Sequence, residues 1–244
     1  MTETLLQGDC LELLPTIQDN SIDLVLVDLP YHMTVNKWDS AIPLDELWKQ
    51  YHRIVKKNGA MIFTALGLFT AELMLSNSRE YKYNYTWIKS KATNFLNAKR
   101  QPLRKHEDIL VFYRKHPTYN PQMTKGNAYS KGVRKDQVTG SYGDFNPVLV
   151  KSEGMRYPVD VLYFKTAESE GKVVHPTQKP VALLRYLIKT YTNEGMTVLD
   201  NCMGSGSTGV AAKELNRNFI GMELDPTYFK VAKERIESTT ITLF

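Results

Sequence analysis

The sequence predicts an α/β domain whose central strands are parallel and covered on both faces. The apolar run Ile22–Val27 shows no alternation with polar residues, which is typical of a strand buried on both sides in a parallel sheet. A second apolar run, residues 196–199, leads through a glycine-rich turn into the helical segment 210–215, as in a strand, turn and helix unit. The 244 residues, of which 42% are hydrophobic, suffice to bury one such core and to carry an insertion.

The other elements follow from apolar periodicity and from start and stop signals. Residues 44–57 repeat apolar side chains at helical spacing and are followed by Asn58 and Gly59, a typical helix end. Asp225 and Pro226 are typical of the cap and first position of a last helix. In chain order, the predicted strands are 4–7, 22–27, 60–65, 83–89, 109–113, 196–199 and 218–223, and the predicted helices are 11–17, 44–57, 68–75, 181–191, 210–215 and 226–236.

Between residues 116 and 172 the periodicity disappears. This segment holds six glycines, four prolines and five tyrosines, which is typical of a functional loop region or a small insertion. On composition alone, a linker or a lid is an equally good interpretation. We therefore predict a main domain formed by residues 1–115 and 173–244, with an insertion at 116–172.

The composition argues against several classes of protein. Cys10 and Cys202 are the two cysteines of the chain and provide neither a disulfide framework nor the spacing of a zinc site, which favours a reducing, cytoplasmic location. The longest apolar stretch, residues 59–75, is interrupted by Glu72, so we expect no membrane span, and we expect no signal peptide. No metal site is expected either.

A first candidate site directly follows the strand Ile22–Val27. Ligands bind at the carboxyl ends of parallel strands, and here Asp28, Leu29, Pro30 and Tyr31 bring a carboxylate, a backbone carbonyl and an aromatic ring to such an end. This combination suits the binding of a planar amino group. Taken alone, the same residues also fit a helix cap followed by a packing tyrosine.

A second candidate site is the glycine-rich turn that runs from Asp200 to Gly209. Glycines allow the backbone to approach a ligand closely, and the following helix begins with free N–H groups. Glu223 ends the next predicted strand, where its carboxylate can accept hydrogen bonds from ribose hydroxyls. The turn lacks the G-x-G-x-x-G spacing and has no G-K-[ST], so an adenosyl ligand without phosphate fits better than NAD or ATP.

Positive charge is concentrated in one part of the chain. Residues 82–115 carry nine basic and two acidic side chains, whereas the net charge of the whole chain is +5. Such a basic segment with interleaved aromatic residues is typical of a surface that meets nucleic acid, although aromatic residues at the strand period of two are expected to pack inward. The interleaved aromatic residues are Tyr81, Tyr83, Tyr85, Trp87 and Phe95.

Five motifs follow one another along the chain: Gly8-Asp9-Cys10, residues 28–31, His106-Glu107, residues 175–180 (HPTQKP), and the glycine turn with Glu223. Together they resemble the β class of amino-methylating DNA methyltransferases, which use S-adenosylmethionine. The amine motif precedes the cofactor motif, which is the circularly permuted order of that class. The resemblance implies a Rossmann-like methyltransferase fold with a seven-stranded, mostly parallel sheet and helices on both faces, and it makes the 116–172 insertion the target-recognition segment.

The resemblance also implies a role for each motif. Asp28 and the Leu29 carbonyl accept the protons of the target amine, Pro30 stiffens the turn, and Tyr31 stacks on the flipped base. Two departures from the family pattern are Leu29, where proline is usual, and Cys202, where an aromatic residue is usual. The implied cofactor-binding residues are Asp9, His175, Thr177, Lys179, Asp200, Cys202, Met203, Gly204, Ser205, Gly206, Thr208 and Glu223. The implied DNA-binding residues are Lys89, Lys91, Lys99, Arg100, Arg104, Lys105, Arg134, Lys135 and Arg156.

On this basis we predict a DNA methyltransferase that transfers a methyl group to the N6 amino group of a flipped adenine. Asp28 favours adenine because relatives that act on cytosine N4 more often carry serine at this position. An N4-cytosine enzyme is the alternative, followed by an RNA or protein-amide methyltransferase and by a catalytically silent DNA-binding module. The intact Asp28, Tyr31 and Glu223 argue against the silent module. The resemblance admits a homodimer and a cognate restriction endonuclease as partners.

Overall fold

The computed structural model describes residues 1–31, 42–134 and 148–241. Contacts between backbone positions divide the chain into two compact units. One unit comprises Met1–Asn120 and Asp160–Phe244, and the other comprises Pro121–Val159.

The larger unit is built on an eight-stranded sheet with the strand order β1-β12-β11-β2-β3-β5-β4-β10. Its strands are β1 (Glu3–Gln7), β2 (Ile22–Val27), β3 (Val55–Ala65), β4 (Tyr81–Thr93), β5 (Arg104–Phe112), β10 (Val161–Phe164), β11 (Thr197–Asp200) and β12 (Asn218–Glu223). Strand β5 pairs antiparallel with both of its neighbours, and every other pairing in the sheet is parallel. The carboxyl ends of seven strands and the amino end of β5 therefore meet at one edge of the sheet.

Helices pack on both faces of this sheet and bury two separate cores. Leu24 and Leu26 of β2 belong to one core, while Val25 and Val27 belong to the other, which explains why this strand shows no polar alternation. The core around Val25 contains side chains from α1 (Cys10–Leu13), α2 (Leu44–Ile54) and α3 (Leu68–Ser76). The core around Leu24 contains side chains from α4 (Val181–Tyr191), α5 (Ser207–Glu214) and α6 (Pro226–Ser238).

The predicted fold class is confirmed, with one strand more than the seven expected. The additional strand, β10, pairs in parallel with β4 at the sheet edge, although it lies within the 116–172 segment that shows no sustained periodicity. The predicted helix 44–57 ends earlier, at Ile54, because Val55 already pairs with Ile22 in the sheet. None of the described helices has the length and apolar character that crossing a membrane requires.

The smaller unit contains two short antiparallel ladders. One joins β6 (Thr124–Lys125) to β9 (Met155–Arg156), and the other joins β7 (Tyr129–Arg134) to β8 (Val148–Ser152). The Arg156 guanidinium lies 4.5 Å from the centre of the Tyr129 ring and donates a hydrogen bond to the Asn127 carbonyl. These contacts stabilise the unit internally, and the role of the 116–172 segment in target recognition stays a prediction.

Candidate active site

A cavity of about 670 Å³ lies in the larger unit, at the edge where the parallel strands end. Asp28 follows β2, Asp200 ends β11, Glu223 ends β12, and Asp9 follows β1, and all four residues line this cavity. Glu107 reaches the same edge because β5 runs in the opposite direction and begins there. The sheet topology thus brings the amine motif and the glycine turn to one cavity, although 172 positions separate Asp28 from Asp200 in the sequence.

Both carboxylate oxygens of Asp28 accept hydrogen bonds from neighbouring side chains. The Tyr31 hydroxyl donates to Oδ1 at 2.7 Å, and Thr64 Oγ1 donates to the same oxygen. Lys179 Nζ donates to Oδ2 at 2.5 Å. The Tyr31 ring stacks on Phe69 of α3 with 5.1 Å between ring centres. The carboxylate is therefore fixed in orientation, with two protein donors on Oδ1 and one on Oδ2.

Lys179 connects Asp28 to a second pair of charges. Its Nζ lies 3.6 Å from Glu107 Oε2, and Glu107 Oε1 forms an ion pair with Lys89. Burial opposes the charge of Lys179, but Asp28 and Glu107 outweigh it and raise the pKa of this ammonium above its usual value. The result is a row of two carboxylates and two ammonium groups along one wall of the cavity.

The hydroxyl of Tyr31 stays protonated in this environment. Burial raises its pKa well above the usual range, and the neighbouring charges of Asp28 and Glu107 raise it further. Tyr31 therefore acts toward Asp28 as a hydrogen-bond donor.

The glycine turn has the open backbone that its sequence predicts. Gly204 and Gly206 adopt positive φ values of 52° and 77°. The Gly204 amide donates to Glu223 Oε2 at 2.8 Å, and the Asp225 amide donates to Glu223 Oε1 at 2.9 Å. At Gly206 a Cβ atom would lie 3.0 Å from the Ala232 backbone, so this glycine permits the close packing of α6. The turn is thus held between β12 and α6 with Gly204 exposed to the cavity.

Two carboxyl groups near this turn, those of the buried Asp200 and the half-buried Glu223, have no ion-pair partner in the described chain. Burial raises the pKa of Asp200 to about 7 and also raises the pKa of Glu223. Within the described parts of the chain, no lysine or arginine forms an ion pair with either residue. This end of the cavity is therefore acidic and favours a ligand with positive charge or hydroxyl donors over one with phosphate groups.

His175 and Cys202 complete the wall around the turn. The His175 ring packs 4.2 Å from the Tyr228 ring, and burial lowers its pKa. Thr177 points toward this ring, with its Oγ1 3.1 Å from His175 Nδ1. Cys202 Sγ accepts a hydrogen bond from the Asn201 side-chain amide at 3.6 Å.

Most of the predicted site residues line the cavity. All four of the predicted catalytic residues, 28–31, do so, and so do eleven of the twelve predicted cofactor residues, with Gly206 packed behind the turn instead. Asp9 also caps α1, since its Oδ1 accepts a hydrogen bond from the Leu11 amide at 2.8 Å. Lys179, predicted on the cofactor side, contacts Asp28 in this structure.

The predicted DNA-binding residues fall into separate places. Lys89 is 6% exposed and paired with Glu107, and Arg104 lines the cavity. Lys91, Lys99, Arg100 and Lys105 are exposed on or beside the loop between β4 and β5. Arg156 lies in the smaller unit. Lys135 and the side chain of Arg134 lie outside the described residues.

Thr64 and Phe69 lie outside the sequence motifs, and Gln178 lies in the 175–180 motif but is not one of the predicted site residues. Thr64 is the one polar residue of the run 60–65, the last part of β3, and this signal could have identified it. Phe69 is one of several apolar residues of α3 and carries no such signal. Gln178 accepts a hydrogen bond from the Val174 amide at 3.1 Å and holds the segment before α4 in place.

Comparison with known proteins points to one family. Residues 22–234 match the family N6_N4_Mtase, described as DNA methylase. The Type II methyltransferase M.HpaI of Haemophilus parainfluenzae is 27% identical over 98% of this chain and 75% of its own length. The Type II methyltransferase M.BglII of Bacillus subtilis is 28% identical over 92% of this chain, which spans 66% of that relative's length.

Solved structures share the fold. The M1.HpyAVI–SAM complex has a TM-score of 0.65 at 23% identity and covers 96% of this chain and 99% of its own. The PvuII DNA methyltransferase, cytosine-N4-specific, has a TM-score of 0.69 at 16% identity and covers 96% of this chain and 86% of its own. At these identities the likeness shows a common Rossmann-like architecture.

Proposed function

Because the chain belongs to the N6/N4 DNA methylase family, we propose that it methylates the N6 amino group of an adenine flipped out of duplex DNA. The cofactor of this family is S-adenosylmethionine, and when bound it supplies an electrophilic methyl group on a sulfonium centre. The observation that carries the proposal is the position of Asp28, which lines the same cavity as the acidic glycine-turn end.

The residues around the glycine turn fit this cofactor. The carboxyl groups of the buried Asp200 and the half-buried Glu223 have no cationic partner in the described chain, which suits a ligand that brings positive charge and ribose hydroxyls but no phosphate. The cavity volume of about 670 Å³ falls within the range usual for cofactor sites. Glu223 would hold the ribose hydroxyls, and Asp200 with the Gly204 backbone would hold the methionine part.

On the substrate side, Asp28 increases the reactivity of a poor nucleophile. The lone pair of an exocyclic amine is delocalised into the ring of the base. When Asp28 and the Leu29 carbonyl accept hydrogen bonds from its two N–H groups, the nitrogen becomes more tetrahedral and the lone pair becomes available. Each hydrogen bond to an ionised acceptor contributes about 1.5 to 3 kcal/mol. Asp28 then stabilises the positive charge on nitrogen and takes up the proton or passes it to water.

Tyr31 connects the entry of the target base to the release of an acceptor position on Asp28. Tyr31 is the residue expected to stack on the flipped base, and its hydroxyl occupies Asp28 Oδ1 in the present arrangement. A base that enters against the tyrosine ring displaces this hydroxyl and presents its own amino donor to the vacated oxygen. Thr64 and Lys179 keep the carboxylate oriented during the exchange.

The choice of adenine over cytosine rests on Asp28 itself, since serine is more usual in relatives that act on cytosine. Cytosine N4 is the second candidate, because the PvuII enzyme that shares the fold is cytosine-N4-specific.

Exposed cations on the β4–β5 loop supply phosphate contacts, and the 116–172 segment recognises the target sequence. We also propose that the protein acts in the cytoplasm, where the substrate DNA lies. The same proposal includes a homodimer and a cognate restriction endonuclease as partners.

Transfer of radiolabelled methyl groups from S-adenosylmethionine to plasmid DNA tests the function. Digestion to nucleosides identifies the product, and sequencing of the methylated plasmid identifies the site. We expect label in N6-methyldeoxyadenosine. Label in N4-methyldeoxycytidine would select the second candidate, and label in RNA or protein alone, or in no substrate, would contradict a DNA methyltransferase.

A further inference from the structure

Two neighbouring apolar side chains stand exposed on the loop that joins β4 to β5. Phe95 is 76% exposed and Leu96 is 85% exposed. Single exposed apolar residues are common on protein surfaces, but an adjacent aromatic and aliphatic pair on one tight turn is a defined feature. Neither side chain contributes to the two cores of the larger unit.

The turn that carries this pair is internally hydrogen-bonded. Phe95–Asn97 forms a single 3-10 turn preceded by Asn94, whose backbone adopts a positive φ of 70°. The Asn97 side-chain amide donates to Asn94 Oδ1 at 2.8 Å, and the Arg100 amide donates to the Asn97 carbonyl at 2.8 Å. The two apolar side chains are therefore presented on a structured backbone, which lowers the entropy lost when they insert into a partner.

The turn is attached directly to the rim of the active-site cavity. Thr93 and Asn94, on one side of the exposed pair, and Arg104, on the other, line the same cavity as Asp28. The exposed pair thus lies next in sequence to residues of the cavity wall. A partner that contacts the pair therefore contacts a segment that also contributes to the cavity wall.

The charge around the pair identifies the partner. Lys91, Lys99, Arg100 and Lys105 are exposed, and none of them forms an ion pair with another residue in the described part of the chain. A second copy of the chain would bring the same cations to this surface and would be repelled. A polyanion neutralises them, and duplex DNA offers both phosphates and an apolar base stack.

We propose that Phe95 and Leu96 form a wedge that inserts into the DNA base stack where the target base leaves it. The inference rests on the proposed function but holds for either target base. Extruding a base loses the free energy of its stacking and pairing, and apolar side chains inserted between base steps offset part of this loss. The cations of the loop contact the phosphates, while the wedge stabilises the opened duplex.

The test compares the variant Phe95→Ala/Leu96→Ala with the native enzyme on two duplexes that carry the mapped methylation site. One duplex is fully paired, and the other has an abasic position opposite the target base, which removes the pairing that flipping must break. We expect methyl transfer by the variant to fall at least about tenfold on the paired duplex and to return to within about threefold of native on the abasic duplex. DNA affinity stays within about threefold of native because the cations are unchanged.

Leu75→Ala is the matched control, since Leu75 is 77% exposed on α3 and lies outside the loop. It should behave as native on both duplexes. Native-like transfer by the double variant on the paired duplex would overturn the wedge, and so would an equal loss on both duplexes. A native dimer that dissociates in the double variant, with transfer unchanged, would assign the pair to a second copy. A native enzyme that methylates no DNA would overturn the proposed function and the wedge with it.

Discussion

Lys179 Nζ lies 2.5 Å from Asp28 Oδ2, which joins the segment before α4 to the end of β2 across 151 positions of sequence. The side chain of Lys179 is 10% exposed, and it also faces Glu107 at 3.6 Å. Although burial opposes its charge, the two carboxylates raise the pKa of this ammonium, so Lys179 stays charged. Asp28, the residue proposed to activate the target amine, is therefore part of a charge network that joins the ends of three strands and the loop before α4.

Replacing Asp28 separates methyl transfer from cofactor binding. Asp28→Ala removes the acceptor of the amine proton but leaves the glycine turn unchanged, so transfer should fall by about three orders of magnitude or more. Cofactor affinity, measured by calorimetry, should stay within about threefold of native. Asp28→Asn is the matched control for shape and should be nearly as inactive. Unchanged turnover in either variant would exclude Asp28 as the amine acceptor.

Removing the positive charge at Lys179 should slow methyl transfer. In Lys179→Met, Asp28 Oδ2 loses its donor and Glu107 Oε2 loses the cation 3.6 Å away, so the Asp28 carboxylate is held less firmly in its orientation. We expect kcat to fall about tenfold or more.

Lys179→Arg retains the charge and should keep more of the native kcat than Lys179→Met. Steady-state kinetics, together with cofactor affinity from calorimetry, would distinguish the variants. A Lys179→Met enzyme with native kcat but weaker cofactor binding would instead place Lys179 on the cofactor side.

The ring of Tyr31 should contribute more to methyl transfer than its hydroxyl does. Tyr31→Phe keeps the ring that stacks on the base and removes only the hydroxyl that base entry must displace, so its kcat should stay within about threefold of native. Tyr31→Ala loses base stacking worth about 1 to 3 kcal/mol and should lower kcat/KM on duplex DNA by about ten- to one-hundred-fold. Equal losses in the two variants would show that the hydroxyl, and not the ring, carries the function.

Apolar patterning predicted much of the fold because it reflects burial directly. The observed bounds of β2, β12 and α4 coincide with the predicted ranges, and each of these elements carries a continuous or strictly periodic set of core residues. β10 was not predicted, because a four-residue edge strand in a segment rich in glycine and proline has no periodic signal. Its pairing with β4 is a tertiary contact that sequence patterns do not encode.

The charge network was only partly predictable. Tyr85, Trp87 and Lys89 are buried at the strand period of two, so the alternation that predicts inward aromatic residues also turns Lys89 inward. Its partner Glu107 belongs to the His106-Glu107 motif, but the ion pair depends on the register between β4 and β5. The register between β4 and β5 and the position of the loop before α4 together determine which side chains pair across the cavity.

The buried Asp200 carboxyl makes the stability of the free protein depend on pH. Burial raises its pKa in the folded state to about 7, above the ordinary value of 3.8, so the folded protein holds a proton between these limits that the unfolded chain has released. Stability contributed by the protonated form is therefore present at low pH and lost as pH rises toward 7. Asp200→Asn should raise Tm at about pH 8 relative to native and change it little at about pH 4.

Cofactor binding should show the opposite dependence on pH. A ligand with positive charge binds the ionised Asp200 more strongly, so native affinity should decrease as pH falls below about 7. Asp200→Asn should bind more weakly at high pH and show less of this dependence, as titration calorimetry at several pH values would measure. Native affinity that rises as pH falls would contradict contact between Asp200 and the charged part of the cofactor, even if the stability profile matched.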